Sequence, residues 1–268
     1  MASGTASAAF RSLARSRHSC RRFAPDRPVP SEALKDALLT TRASPSGFNL
    51  QPTHMLLVRD PTVKRRLADE AMLGMGNVYR TRDCSAVAVF LSDLQVTRRI
   101  ARITELERES GARDPNYLAV LPVAASFLTG EGGAATFLKK VATDALSPVK
   151  PMPSVEPVEA WSYKNAGLAA MQYTLACTSH GLATCMMEGY DARRAKEILR
   201  VPDRYGVPVM VATGYDYDGE NAEGVGGAIR TPRLDMEELF FGDSFGEGLD
   251  LLGGDEHLGG GRGRGVDP

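Results

Sequence analysis

Apolar positions follow two rhythms along this chain, and their alternation sets out its elements. Ser85–Leu91, SAVAVFL, is nearly continuous in apolar residues, which predicts a strand covered on both faces. Ala183–Met187 and Val207–Thr213 read as two further buried strands, and His54–Val58 as a shorter one that Asp60-Pro61 ends. Elsewhere the spacing turns helical. Leu34, Leu38 and Leu39 predict a helix from Ser31, read as its N-cap, to about Arg42, where Pro45-Ser46-Gly47 breaks it. Residues 62–73 also read as helix. Residues 96–145 hold three amphipathic stretches, TRRIARITELERE, NYLAVLPVAASFL and ATFLKKVATDAL. The proline-rich SPVKPMPSVEP is an extended connector. A long helix is predicted from about Glu159 to His180, with Gly181 as the C′ residue, and a short one over Asp191–Leu199. Strands separated by helices give an α+β, or layered α/β, domain.

Composition narrows the function classes. A formal net charge of −1 argues for neither nucleic acid nor an acidic membrane surface as partner. No apolar run reaches the roughly 18 residues of a spanning helix. Cys20, Cys84, Cys177 and Cys185 lack zinc-site spacing and are read as reduced thiols, and no metal site is predicted. Residues 1–25 carry five arginines and no acid, which suits a mitochondrial transit peptide. Arg17, Arg21 and Arg22 nevertheless belong to the chain's strongest motif. Only residues 1–10 are therefore read as a flexible arm, with a domain over 11–245 and a disordered glycine-rich tail over 246–268. The expected location is cytoplasmic, with the mitochondrion as alternative. There is no G-x-G-x-x-G after the first strand, so a Rossmann dinucleotide site is not supported.

Four short clusters carry candidate chemistry. Arg17-His18-Ser19-Cys20-Arg21-Arg22-Phe23 offers guanidinium forks and a hydroxyl suited to a phosphate. Ser44-Pro45-Ser46-Gly47-Phe48-Asn49-Leu50-Gln51-Pro52 is a loop bracketed by prolines, whose hydroxyl, glycine backbone and amides match the edge of a planar heterocycle. Asn77 and Arg80 precede Asp83 and the SAVAVFL strand. Met187-Glu188-Gly189-Tyr190-Asp191 closes a strand that opens toward a helix, a favoured ligand position in layered folds.

Taken in order, R-H-S-x-R-x-F, S-P-S-x-x-N-x-Q-P, N-x-x-R-x-x-D and E-G-Y-D resemble the FMN-dependent nitroreductases, over about residues 12–95 and 160–242. The resemblance implies a central mixed sheet flanked by helices, and a homodimer with an extended C-terminal segment. It implies that Arg17, His18, Ser19 and Arg21 bind the FMN phosphate, ribityl chain and pyrimidine edge. Ser46, Gly47 and Asn49 match the loop that reaches FMN from the partner subunit. Asn77 and Arg80 match residues beside the ribityl chain and pyrimidine. Asn165 stands where the family usually has glutamine. Met187, Glu188 and Gly189 match the segment whose backbone N–H approaches flavin N5. Arg230 and Arg233 resemble, more loosely, the basic pair that completes the phosphate site.

The implied activity is NAD(P)H oxidation coupled to two-electron reduction of nitroaromatic, quinone or similar electron-poor acceptors, by ping-pong hydride transfer at one shared site. NADH or NADPH is the donor, and Arg21 or Arg80 faces the charge that reduction places near N1 and O2. No side-chain acid or base is assigned. A reductive dehalogenase or flavin-processing enzyme on the same scaffold, or a non-catalytic flavin-binding protein, is the alternative. Thr53 replaces the tryptophan often found after Q-P, and residues 96–160, part of the substrate channel in this family, carry no matching motif.

Overall fold

The computed structural model describes residues 2–218 and 231–252. The chain divides into two compact units, residues 1–227 and 228–268, where one domain over 11–245 was expected.

The first unit is built on the most apolar segment. Strand β2, Ala86–Asp93, is buried at every position. Its side chains alternate, sending Val87, Val89 and Leu91 to one face and Ala86, Ala88 and Phe90 to the other. Both edges of β2 are filled antiparallel, by β1, Thr53–Val58, and by β4, Tyr205–Gly214. Strand β3, Ala183–Met187, pairs antiparallel with β4, giving the order β1-β2-β4-β3. The four strands are therefore antiparallel throughout. The parallel component of the expected mixed sheet is confined to an isolated Ser19–Thr184 bridge.

Helices cover both faces. On the first, Leu67 of α3 (Pro61–Glu70), Ala195 of α9 (Ala192–Leu199) and Met72 pack on Val87 and Val89. On the second, Leu34 and Ala37 of α2 (Ser31–Arg42) join Ala169, Ala170 and Tyr173 of α8 (Val158–Ser179) over Phe90 and Val211. Tyr173 meets Phe90 edge-on, and its hydroxyl lies 3.1 Å from that of Thr213. Each large apolar side chain buried this way contributes about 1.5–3 kcal/mol. Gly181 adopts φ +69° just past α8, as its C′ role requires. Helices α5 (Ile100–Ser110), α6 (Pro115–Leu128) and α7 (Gly133–Leu146) form the insert, and Ile103, Leu121 and Trp161 share a third core with Leu50.

Three local expectations are corrected. Ser31 is the first helical residue rather than the cap: Pro30 holds that position, and the Ser31 hydroxyl accepts from Arg59. The expected arm over 1–10 is part of helix α1, Ala2–Ser16, whose Phe10 and Leu13 share an apolar depression with Leu168 and Met171 of α8. Helix α4, Met75–Asp83, was not anticipated; its first residues, MGN, carry no capping side chain, and Gly74 turns the chain at φ +73° instead. The second unit contains α10, Met236–Leu239, closed by a reciprocal Asp235–Glu238 capping box, and a 3-10 turn at Asp250–Leu252. The expected disordered tail lies outside the described residues from 253 onward. No single helix among the described residues is long and apolar enough to cross a membrane.

All four cysteines are free and buried. Burial pushes the Cys84 thiol up to about 12 and the Cys177 thiol to about 11, against an ordinary value of 9.0. The folded state thus holds protons that the unfolded chain releases above pH 9. The stabilisation from these thiols is full below that pH and is lost as pH rises through the folded values, at up to about 1.4 kcal/mol per pH unit per thiol. The urea midpoint is expected to fall between pH 9 and 11 and to fall less in Cys84→Ala. Equal slopes in both proteins would refute the linkage.

Candidate functional site

The N-terminal motif leaves α1 and is drawn against the sheet edge. Cys20 N–H donates to the Thr184 carbonyl at 2.9 Å, and the Phe23–Asp216 bridge binds the motif's far end to the chain leaving β4. Cys20 and Phe23 are fully buried, so the residues between and before them are left toward the surface. His18 faces two acceptors, the Ser16 carbonyl at 3.1 Å from Nδ1 and the Asp216 carboxylate at 2.9 Å from Nε2. Arg22 stacks on the Tyr217 ring at 3.6 Å. Arg17 and Arg21 have no side-chain partner among the described residues. Asp216 was invisible in the sequence, being one acid in a polar run after a strand.

Arg80 ties this motif to the others. Its Nε donates to the Cys20 carbonyl at 3.2 Å, and one terminal nitrogen donates to Asn77 Oδ1 at 3.2 Å. Asn77 in turn donates through Nδ2 to the Gly189 carbonyl at 3.1 Å. A Cβ on Gly189 would lie 2.5 Å from Asn77 Nδ2, so a side chain there would displace that amide from the path. Met187 is buried at the end of β3, Glu188 is exposed, and the N–H groups of Glu188 and Gly189 donate to no acceptor among the described residues. Three motifs separated by up to about 170 residues of chain are thus joined by one hydrogen-bonded path, on the face covered by α3, α4 and α9.

Ser46, Gly47, Asn49 and Asn165 form a second group. Gly47 N–H donates to Asn165 Oδ1 at 2.9 Å, and Asn165 Nδ2 donates to the Trp161 carbonyl at 2.7 Å. A Cβ on Gly47 would sit 2.8 Å from the Trp161 ring. Ser46 Oγ accepts from Gln51 N–H at 2.9 Å. The loop is strained: Phe48, Asn49 and Gln51 hold φ of 53°, 54° and 48°. Each such residue costs roughly 1–2 kcal/mol, a cost found where a loop is held for function. Ser46, Gln51, Thr53, His54 and Asn165 line a cavity of about 270 Å³ with Phe90 and Ala169, on the α2 and α8 side of the sheet. Burial, and then the charge of Arg99, hold the His54 imidazole below its ordinary value.

No hydrogen bond or ion pair among the described residues joins the two groups, which lie on opposite sheet faces. Arg233, in the second unit, donates into its own turn at Thr231 and Pro232. Arg230 lies outside the described residues.

A family model described as Nitroreductase family matches residues 14–215. MhqN of Bacillus subtilis, whose name places it among the NAD(P)H nitroreductases, is 28% identical over 208 residues, 77% of this chain and 88% of its own. A protein of Thermus thermophilus named NADH dehydrogenase is 27% identical over 199 residues, 74% of this chain and 82% of its own. Among solved structures, a nitroreductase-type protein of Exiguobacterium sibiricum crystallised in complex with FMN superposes with a TM-score of 0.64, at 19% identity over 86% of this chain and 95% of that one.

Proposed function

The chain belongs to the nitroreductase family, and from that premise we propose that it is an FMN-dependent NAD(P)H oxidoreductase that reduces nitroaromatic, quinone or similar electron-poor acceptors as a homodimer. The observation that carries the reading is the path from the Cys20 carbonyl through Arg80 and Asn77 to the Gly189 carbonyl. It gathers the separated motifs into one cradle with unspent donors on its surface.

That cradle fits FMN. Arg17 and Arg21 offer guanidinium groups with no internal partner among the described residues, the arrangement a phosphate monoester needs. The free N–H groups of Glu188 and Gly189 suit an acceptor atom at a ring edge. FMN, when bound, supplies two-electron transfer between a nicotinamide and the acceptor. The protein's part is to hold and orient. Arg80 spends two of its five N–H groups on bracing the cradle and keeps three for a ligand. With Arg21 given to the phosphate, Arg80 is the cation that would stand beside the negative charge that reduction accumulates near N1 and O2.

The two-faced layout supports the proposed homodimer. No hydrogen bond or ion pair among the described residues joins the 46–49 loop to the Arg17–Gly189 cradle of its own chain, and a second copy would supply it. Heat-treated protein is expected to release one FMN per chain, and the loaded protein to sediment as a dimer. A colourless preparation that takes up no added FMN would refute the reading, and a stable FMN-loaded monomer would refute the shared site.

A further inference from the structure

The insert carries no recognisable motif, yet one of its side chains reaches the strained loop. Glu107 of α5 is 5% exposed. A carboxylate buried that deeply is ordinarily hydrogen-bonded at both oxygens. Here Oε1 accepts from Asn49 Nδ2 at 3.0 Å and lies 3.6 Å from Nε of the half-exposed Arg113. Oε2 has no hydrogen-bond partner among the described residues. A costly burial is therefore spent almost wholly on Asn49.

The contact sets which way the Asn49 amide faces. A carboxylate only accepts, so it can face only the NH₂ end of the Asn49 amide. That leaves Oδ1 toward Gln51, whose Nε2 lies 3.2 Å away. The backbone of Asn49 is held at φ 54° between Phe48 at 53° and the Gln51 turn at 48°. Glu107 thus ties the Asn49 side chain to α5, as Asn165 ties the Gly47 backbone to α8.

Resting on the FMN reading above, we propose that Glu107 is a positioning residue: its carboxylate fixes the Asn49 amide, and through it the 46–51 loop, for FMN at the dimer contact. The test measures the FMN dissociation constant by flavin fluorescence, and the thermal midpoint without FMN, in the full-length chain. Glu107→Ala is expected to weaken FMN binding roughly tenfold, the scale of one hydrogen bond to a charged group. Glu107→Gln keeps an acceptor oxygen and is expected to bind within about threefold of wild type. Asn49→Ala combined with Glu107→Ala is expected to bind no more weakly than Asn49→Ala alone, because both remove one contact. Should Glu107→Ala not fold, Glu107→Met fills the volume without an acceptor and takes its place. Wild-type affinity in the Ala or Met variant overturns the assignment, even with a lowered thermal midpoint, and so does additivity in the double variant. Wild-type protein that binds no FMN overturns the cofactor reading itself, which separates the two failures.

Discussion

Protein carrying Arg17→Ala and Arg21→Ala together is expected to purify colourless and to bind added FMN at least about a hundredfold more weakly than wild type. Each guanidinium–phosphate contact is charge-assisted and contributes about 1.5–3 kcal/mol, so losing two removes about 3–6 kcal/mol, or between a hundredfold and ten-thousandfold. Arg21 is exposed and Arg17 partly so, which places the expected effect at the lower end. Neither side chain has an internal partner among the described residues, so the folded core is left intact. The control is Arg22→Ala. Arg22 is stacked on Tyr217, and its carbonyl accepts from the Tyr217 N–H, so it already has an occupation within the fold. That variant is expected to bind FMN within about threefold of wild type. The flavin's visible absorbance and titration with FMN read both. A double variant that stays yellow with unchanged affinity would remove the phosphate assignment.

Much of this was legible because the relevant signals are local. SAVAVFL announced β2 from its apolar run alone, and Gly181 announced the end of α8. The motif residues were legible as types: cations, a glycine and amides that have few reasons to sit together. Their grouping was not legible. Arg80 reads as one more surface arginine until its contacts with the Cys20 carbonyl and Asn77 are seen. Asp216 and Glu107 are acids among many, and each acquires a role only when the fold brings a distant residue to it, His18 in one case and Asn49 in the other. Helix α4 escaped because its start depends on a glycine backbone conformation, and α1 because its arginine-rich, acid-free composition reads as an arm. The antiparallel sense of the sheet likewise depends on connections that a strand's own residues do not encode.

The same dependence on distant partners makes a single glycine in the insert consequential. Gly130→Ala is expected to lower the thermal midpoint by roughly 10 °C and to weaken FMN binding as well. Gly130 is buried at φ +64°, and a Cβ there would lie 1.7 Å from the Glu156 carbonyl oxygen and 2.8 Å from its carbon. Both obstacles are backbone, so no side-chain rotation relieves them. The left-handed conformation costs alanine about 1–2 kcal/mol and the overlap a further 1–3 kcal/mol. The chain that has to move runs from Glu156 through Pro157 directly into α8. The first turns of α8 carry Trp161, packed on Gly47, and Asn165, which accepts from the Gly47 N–H. A shift there therefore reaches the 46–49 loop. Gly111→Ala separates overlap from strain: Gly111 also has φ +64°, but nothing lies within 4 Å of its Cβ position. It is expected to cost only the conformational 1–2 kcal/mol, a few degrees, with FMN affinity unchanged. Calorimetry of both variants with and without FMN decides it. Equal losses in the two would mean that the Glu156 contact yields easily, and that the insert does not set the position of α8.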